Sequence, residues 1–311
     1  MIRALCGALI LLASWSVQAQ PAHPSPLPGE REYPRGKGAE WYVQIDNDVV
    51  FHTDRWYSSG VRIARVANDV EWGVTQEIYT PDVQHSPEGA ADRRPAARLL
   101  GTVAQHFRGE FAYQTVGAAL GVRGPSALGR QTQDFVHRFV PSGARIDWSN
   151  QLPDEYDASV VWARTQRSDA RSPMGEGLKI HFGSVLGNQQ VFAHVGAEYR
   201  IGDAQARGLS SRLLRFAPTP PVADSGAPAI GWSAFAGASV RGVARNELLV
   251  QDNDPAKPDL RLEHAVGRAV VGATYAARWG CVEFNVAADT REFKGQHAAH
   301  GFGSLTAHFS F

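Results

Sequence analysis

The chain is poor in the residues that build most redox and metal centres. Two cysteines, Cys6 and Cys281, stand among 311 residues, too few for a site of paired cysteines. Lysine is scarce: Lys37, Lys179, Lys257 and Lys294 stand against 27 arginines. Net charge is absent as well, with 31 basic and 31 acidic side chains, so the basic excess of a nucleic-acid binder is missing. Beyond residue 20 no apolar run reaches the roughly 18 residues a membrane-spanning helix needs. The sequence holds no H-E-x-x-H, no Walker loop and no G-x-S-x-G. Gly124-Pro125-Ser126-Ala127-Leu128-Gly129 is one residue too long for a nucleophile elbow, and Ser126 reads as a turn residue. No internal repeat of about 20–50 residues is visible, which argues against a solenoid or propeller.

What is present begins with an address. Arg3, the apolar run Ala4 to Trp15 and then Ser16-Val17-Gln18-Ala19 have the layout of a secretory signal peptide. Residues 1–19 are expected to be removed, and Cys6 with them, which leaves Cys281 without an intramolecular partner. Residues 20–39, rich in Pro and Gly, read as a loose lead-in. The rest, 40–311, is expected to form one domain. Glycine at 31 residues suits a β protein with many close backbone approaches.

Period-two alternation then dominates. At the end of the chain Leu305, Ala307, Phe309 and Phe311 share one face, and Ser304, Thr306, His308 and Ser310 the other. Such a segment, closing on an aromatic residue, is expected of an outer-membrane strand; an amphipathic strand of a soluble sandwich is the plainer reading. The same texture predicts strands over 40–47, 57–67, 71–79, 96–107, 111–122, 156–166, 176–186, 190–201, 230–243, 263–277, 280–289 and 301–311. Twelve is an even number, and many of these segments have the length of about ten residues that crosses a bilayer at a tilt. The fold expected is therefore all-β: a single transmembrane antiparallel barrel with a short helix in a long extracellular loop. Tight turns at 67–70, 108–110 and 279–280 alternate with long loops at 80–95, 123–155 and 244–262, as periplasmic turns alternate with outer loops. Two connections break that alternation: 187–189 is short and 202–229 is long.

Polar residues gather at the outer end. Asp46-Asn47-Asp48 closes the first strand, and its alternation sends Asp46 and Asp48 inward and Asn47 to the rim. In the loop 123–155, a helical Gln133-Asp134-Phe135-Val136-His137 puts Gln133 and His137 on one face at i and i+4. Singly, each group reads most simply as a solvated loop. Their order tells more. Asn47-Asp48, Thr53-Asp54-Arg55 with Tyr57-Ser58-Ser59-Gly60, Tyr79-Thr80-Pro81, the run Gly124-Pro125-x-Ala127-x-Gly129 with Gln133 and His137, Gln151-Leu152 with Glu155, and Arg291-Glu292-Phe293-x-Gly295-Gln296 together resemble the lipid A 3'-O-deacylase family of outer-membrane barrels.

The resemblance implies an esterase that removes the 3'-linked acyloxyacyl group of lipid A at the cell outer membrane. It makes His137 the catalytic histidine and Gln133 its companion, with Asn47 and Ser58 in the catalytic group. Asp48 and Asn47 would ligate Ca²⁺, which prefers such oxygens. The sequence departs from the family at Arg130, where glutamate or glutamine is common, at Asp92-Arg93-Arg94-Pro95, where Arg94 is extra, and in the absence of lysine from 80–95. Arg130, Arg93 and Arg138, with Arg94 and Arg123 beside them, are expected to meet the phosphates of the lipid A substrate; a merely solvated role is the alternative for each. In such a site His137 would draw a proton from water, the cation would polarise the ester carbonyl, and Ser58 would donate a hydrogen bond. Two other readings stand: a non-catalytic barrel, either a pore or a lipopolysaccharide-binding protein, and a soluble exported β protein.

Overall fold

The computed structural model describes residues 39–83, 85, 92–108, 112–139, 146–168, 177–203, 230–250 and 260–310. The signal peptide and the lead-in up to residue 38 lie outside the described residues, as does Phe311. Twelve antiparallel strands close into one barrel. They are β1 (Glu40–Asn47), β2 (Trp56–Ala67), β3 (Val70–Thr80), β4 (Ala96–Arg108), β5 (Ala112–Arg123) and β6 (Glu155–Arg167). The second half holds β7 (Leu178–Gly187), β8 (Gln190–Gly202), β9 (Gly231–Asn246), β10 (Ala265–Ala277), β11 (Gly280–Asp289) and β12 (His300–Ser310). Closure comes from β1 against β12, with Glu40 opposite Ser310 and Asn47 opposite Gly303, so no strand edge is left unpaired.

Alternation decides which side chains meet lipid. On β12, Ser304, Thr306 and His308 are buried in the lumen while Leu305 is exposed on the wall. Around the wall Ile45, Ile63, Val74, Leu120 and Val271 are likewise exposed, a surface that suits hydrocarbon. Trp41, Trp72, Trp232 and Trp279 are exposed too, and all four lie near the end that carries the short turns. That is the arrangement of an interfacial aromatic girdle. At that end Asn68 and Asp69 both adopt positive φ, 53° and 62°, the two-residue geometry whose twist matches a hairpin.

The lumen is filled by charge pairs that cross between strands. Arg200 on β8 donates to Thr274 on β10 at 2.7 Å and to Glu283 on β11 at 3.2 Å. Arg98 on β4 meets Glu77 on β3 at 2.6 Å and Asp157 on β6 at 3.4 Å. Arg268 holds Asp289 through two bonds of 2.6 Å. Side chains thus tie the wall together from within, and in these clusters an opposite charge answers each of the three buried arginines.

The strands around the two discordant connections form where the alternation placed them, so the irregularity belongs to the connections. Only Asn188 and Gln189 link β7 to β8. Asn188 makes that economy possible: its Oδ1 accepts from the Ala158 amide at 2.8 Å and its Nδ2 donates to the Tyr156 carbonyl at 2.7 Å, which fastens the turn to β6. The β8–β9 connection beyond residue 203 lies outside the described residues.

Candidate active site

The rim opposite the aromatic girdle carries the loops β1–β2, β3–β4, β5–β6, β9–β10 and β11–β12. The first is short and highly constrained. Asp48–Phe51 forms a 3-10 turn, capped by Asn47 through a 2.8 Å bond from the Val49 amide to its Oδ1. Asp48 points inward and is buried, as the alternation of β1 requires. Its Oδ2 accepts from Thr53 Oγ1 at 2.9 Å and from the Arg55 amide at 2.9 Å. Both donors are uncharged, and the nearest charge acting on it is another carboxylate, Asp54. Burial therefore pushes the Asp48 carboxyl up to about 8, because the two neutral hydrogen bonds offset only part of the desolvation of its anion.

Three carboxylates lie within nine residues here, and each is held differently. Asp46 accepts from Tyr57 Oη at 2.8 Å and from Gln44. Asp48 is tied to its own turn. Asp54 instead faces across the rim to the β5–β6 loop, where α1 (Gly129–Val136) lies. His137 Nε2 is 3.3 Å from Asp54 Oδ2. Gln133 Nε2 donates to the two Asp54 oxygens at 3.1 and 3.3 Å, and Gln133 Oε1 accepts from Trp148 Nε1 at 2.7 Å. An indole N–H can only donate, so this last bond fixes the direction of the amide and with it the donation to Asp54. One carboxylate is thus braced by a glutamine while it holds a histidine.

The helix is short because of how it begins and ends. Gly124, at φ 104°, turns the chain off β5. Gly129 opens the helix against β4, where a Cβ would come within 2.4 Å of Ala97 Cβ and 3.0 Å of the Trp148 ring. At the other end the His137 amide donates to Gln133 O at 2.9 Å, so the two site residues expected at i and i+4 share one face. Across the rim, β2 opens with Trp56 at φ 58°. A bulky side chain in the left-handed region carries roughly 1–3 kcal/mol of strain and needs its surroundings to hold it. Here Trp56 Nε1 donates to Asp92 Oδ2 at 2.7 Å and the ring packs against Phe293 and His300. Burial raises the Asp92 carboxyl above its usual range, against the pull of that indole bond.

The sequence signature of the family described as "Outer membrane protein LpxR" matches residues 5–311. The chain belongs to this LpxR family. It is an outer-membrane protein, and the family ties it to lipid A modification. Among solved structures, LpxR from Salmonella typhimurium superposes with a TM-score of 0.72 at 18% identity, covering 88% of this chain and 100% of that one. The β domain of the Bordetella autotransporter BrkA is a looser likeness, with a TM-score of 0.38 at 10% identity over 89% and 99% of the two chains. No curated protein sequence matches the chain.

Within this LpxR-family barrel the expected site residues do not all converge. His137 and Gln133 come together, but through Asp54, to which the sequence reading gave no role. Gln133 is engaged with Asp54 and Trp148, so it is a companion of His137 through the carboxylate that it orients. Ser58 occupies a bulge in the β2–β3 pairing and donates to the Ile78 carbonyl at 3.3 Å. Asn47 Oδ1 caps the 3-10 turn, which leaves its second lone pair for any other partner.

The arginines need correction. Arg93 is buried rather than facing lipid: its Nη2 donates to the Leu248 carbonyl and its guanidinium lies 5.2 Å from the Tyr79 ring centre. Arg123 is buried as well, bonded to the Glu247 carbonyl at 2.7 Å and to Glu155. Arg94 fastens two loops by bonds to the Asn150 and Gln151 carbonyls at 2.9 and 2.7 Å. Arg130 and Arg138 remain exposed; Arg130 lies 3.7 Å from Asp134, itself exposed.

Proposed function

We propose that this protein hydrolyses the ester that carries the 3'-linked acyloxyacyl group of lipid A, with water activated by His137 and Ca²⁺ held at Asp48. One observation carries the reading: the His137–Asp54 pair stands on the same rim as a buried carboxyl group, Asp48, that no cationic side chain answers among the described residues. Asp48 is suited to a hard divalent ion because it is inward-facing, is hydrogen-bonded only by neutral donors and becomes a carboxylate ligand once an ion displaces its proton. Asn47, next in sequence, offers a second oxygen, and backbone carbonyls and water would supply the rest of the shell. The ion would contribute Lewis-acid polarisation of the ester carbonyl and an attraction for the charge that develops on its oxygen.

The chain's own groups account for the proton. With Nε2 held toward Asp54, the histidine tautomer keeps its proton on Nε2 and its lone pair on Nδ1. Nδ1 then takes a proton from water as oxygen attacks the ester carbon, and the imidazolium is steadied by Asp54. The same proton passes to the departing alkoxide as the tetrahedral intermediate collapses. No serine ester is needed. Gln133 and Trp148 keep Asp54 from rotating away, which preserves the tautomer. Exposed Phe135 and Phe139, whose rings meet edge to face at 5.2 Å, present an apolar surface for acyl chains beside the base.

The test uses untagged protein reconstituted with purified lipopolysaccharide and Ca²⁺, followed by mass spectrometry of the lipid A. Loss of the acyloxyacyl mass by the wild-type protein, and none by His137→Ala, is expected. Intact lipid A after prolonged incubation with a correctly folded wild-type barrel would leave a non-catalytic lipopolysaccharide binder as the better reading.

A further inference from the structure

A separate constellation lies on the same rim. Asp82 follows β3, His85 lies three residues on, and His297 comes from the β11–β12 loop. Among the described residues these three form a group of His and Asp side chains whose ligating atoms lie within 4.8 Å of one another. His85 Nδ1 is 3.2 Å and His297 Nδ1 3.5 Å from Asp82 Oδ2. Ligands at Zn–N and Zn–O bond lengths around a tetrahedral ion are about 3.4 Å apart, a spacing that the His85 edge matches, while His297 turns Nδ1 toward Asp82 and Nε2 toward Arg55. The two imidazoles stack at 4.7 Å.

A cationic atom already occupies the focus. Arg55 Nη1 is 2.7 Å from Asp82 Oδ2, 3.1 Å from His85 Nδ1 and 3.1 Å from His297 Nε2. That nitrogen carries two hydrogens and faces three ligand atoms, so it donates to at most two of them at a time. An ion with vacant coordination positions would satisfy all three. The exchange of one cation for another also avoids leaving the buried Asp82 without an opposite charge. Arg55 has somewhere to remain, since its guanidinium already lies 4.5 Å from the Trp56 ring centre.

We propose that Asp82, His85 and His297 form a second cation site, chemically distinct from the one at Asp48, that takes a borderline divalent metal such as Zn²⁺ by displacing Arg55. Two imidazoles and one carboxylate favour such an ion over Ca²⁺, which takes oxygen ligands. Bound metal would staple the loop after β3 to the β11–β12 loop across the start of β2. It would release the Arg55 side chain while the Arg55 backbone amide stays on Asp48. The proposal does not rest on lipid hydrolysis.

The test is titration of untagged, detergent-folded protein with Co²⁺ alone, in saturating Ca²⁺, followed by visible absorption and by metal content after gel filtration. A single retained equivalent of Co²⁺ is expected, with a tetrahedral spectrum that Zn²⁺ abolishes. His85→Ala and His297→Ala, both at exposed positions, should each weaken retention by at least about tenfold. Arg55→Gln, which removes the competing cation, should tighten it. Absence of retained metal in the wild-type protein would overturn the site, as would retention unchanged in both histidine variants. Hydrolysis of lipid A is not read in this experiment, so its outcome stands apart from that of the acyl-release assay.

Discussion

The lumen and the turn that holds Asp48 at the outer rim both bury polar side chains, yet they treat charge in opposite ways. Arg200 has two carboxylates of opposite sign at bonding distance, Glu198 at 3.3 Å and Glu283 at 3.2 Å. At Asp48 the partners are a hydroxyl and an amide, and the neighbouring charge is repulsive. A fully answered network stabilises a wall. An unanswered carboxylate beside a histidine–aspartate pair is costly for folding and useful for binding a cation, so the two regions divide stability from chemistry.

Exchanges at either end should separate these roles. The largest effect is expected from His137→Ala, which should lower acyl release by about 10²–10⁴-fold while the barrel keeps its heat-modifiable mobility on gels; mass spectrometry of lipid A reads the first and electrophoresis the second. Arg200→Met should do the reverse. It strips a buried cation from its carboxylates and should cost about 3–5 kcal/mol, seen as a lower urea midpoint, with acyl release unchanged under folding conditions. A variant that lost both properties would merge the two regions. Asp54→Asn keeps the volume but removes the charge facing His137. A fall in turnover on the order of a hundredfold is expected, with Ca²⁺ dependence retained.

The pH dependence follows from Asp48. Its folded carboxyl titrates at about 8, above its ordinary 3.8, so the folded protein binds this proton more tightly than the unfolded chain does. Without metal, the stability from this group is full below the unfolded value and declines as pH rises toward 8. Metal competes with the same proton. The Ca²⁺ concentration for half-maximal activity should therefore fall by about tenfold for each unit that pH rises toward 8, and level off above it. A flat profile would remove Asp48 from the cation site. The smallest effect is expected at Arg130, exposed in the first turn of α1. Arg130→Glu should lower activity on bisphosphorylated lipid A by about threefold to tenfold, and less on a dephosphorylated analogue; equal losses would indicate a disturbed helix.

The architecture was legible because a barrel repeats one physical rule along every strand. Alternation located all twelve strands to within a few residues and told which face of β1 and β12 meets the lumen. The helix at Gln133 and His137 was legible for a similar reason, since i and i+4 share a face in any helix. The partners of these residues were not legible. Asp46, Asp48 and Asp54 look alike in sequence, and only the fold sends the third across the rim to His137. Trp148 lies in a stretch without periodicity, where no local pattern reveals that its indole fixes Gln133. Arg93 escaped for a related reason: it has the same chemistry as Arg130, and only its tertiary partners, the Leu248 carbonyl and the Tyr79 ring, reveal that it is buried while Arg130 stays in solvent.

The capped turn after β1 joins two phases. Asp48 is enclosed, whereas the next three residues, Val49, Val50 and Phe51, are exposed. Positions Gly301 and Gly303 on β12 lie directly beneath them: a Cβ at Gly301 would fall 2.8 Å from the Phe51 ring, and one at Gly303 would fall 2.5 Å from Val50. This apolar tongue lies on the outer wall one peptide unit from a carboxylate. The two glycines are what let the turn lie flat on β12, so the smallest added side chain at either one would lift the segment that continues directly into Asp48.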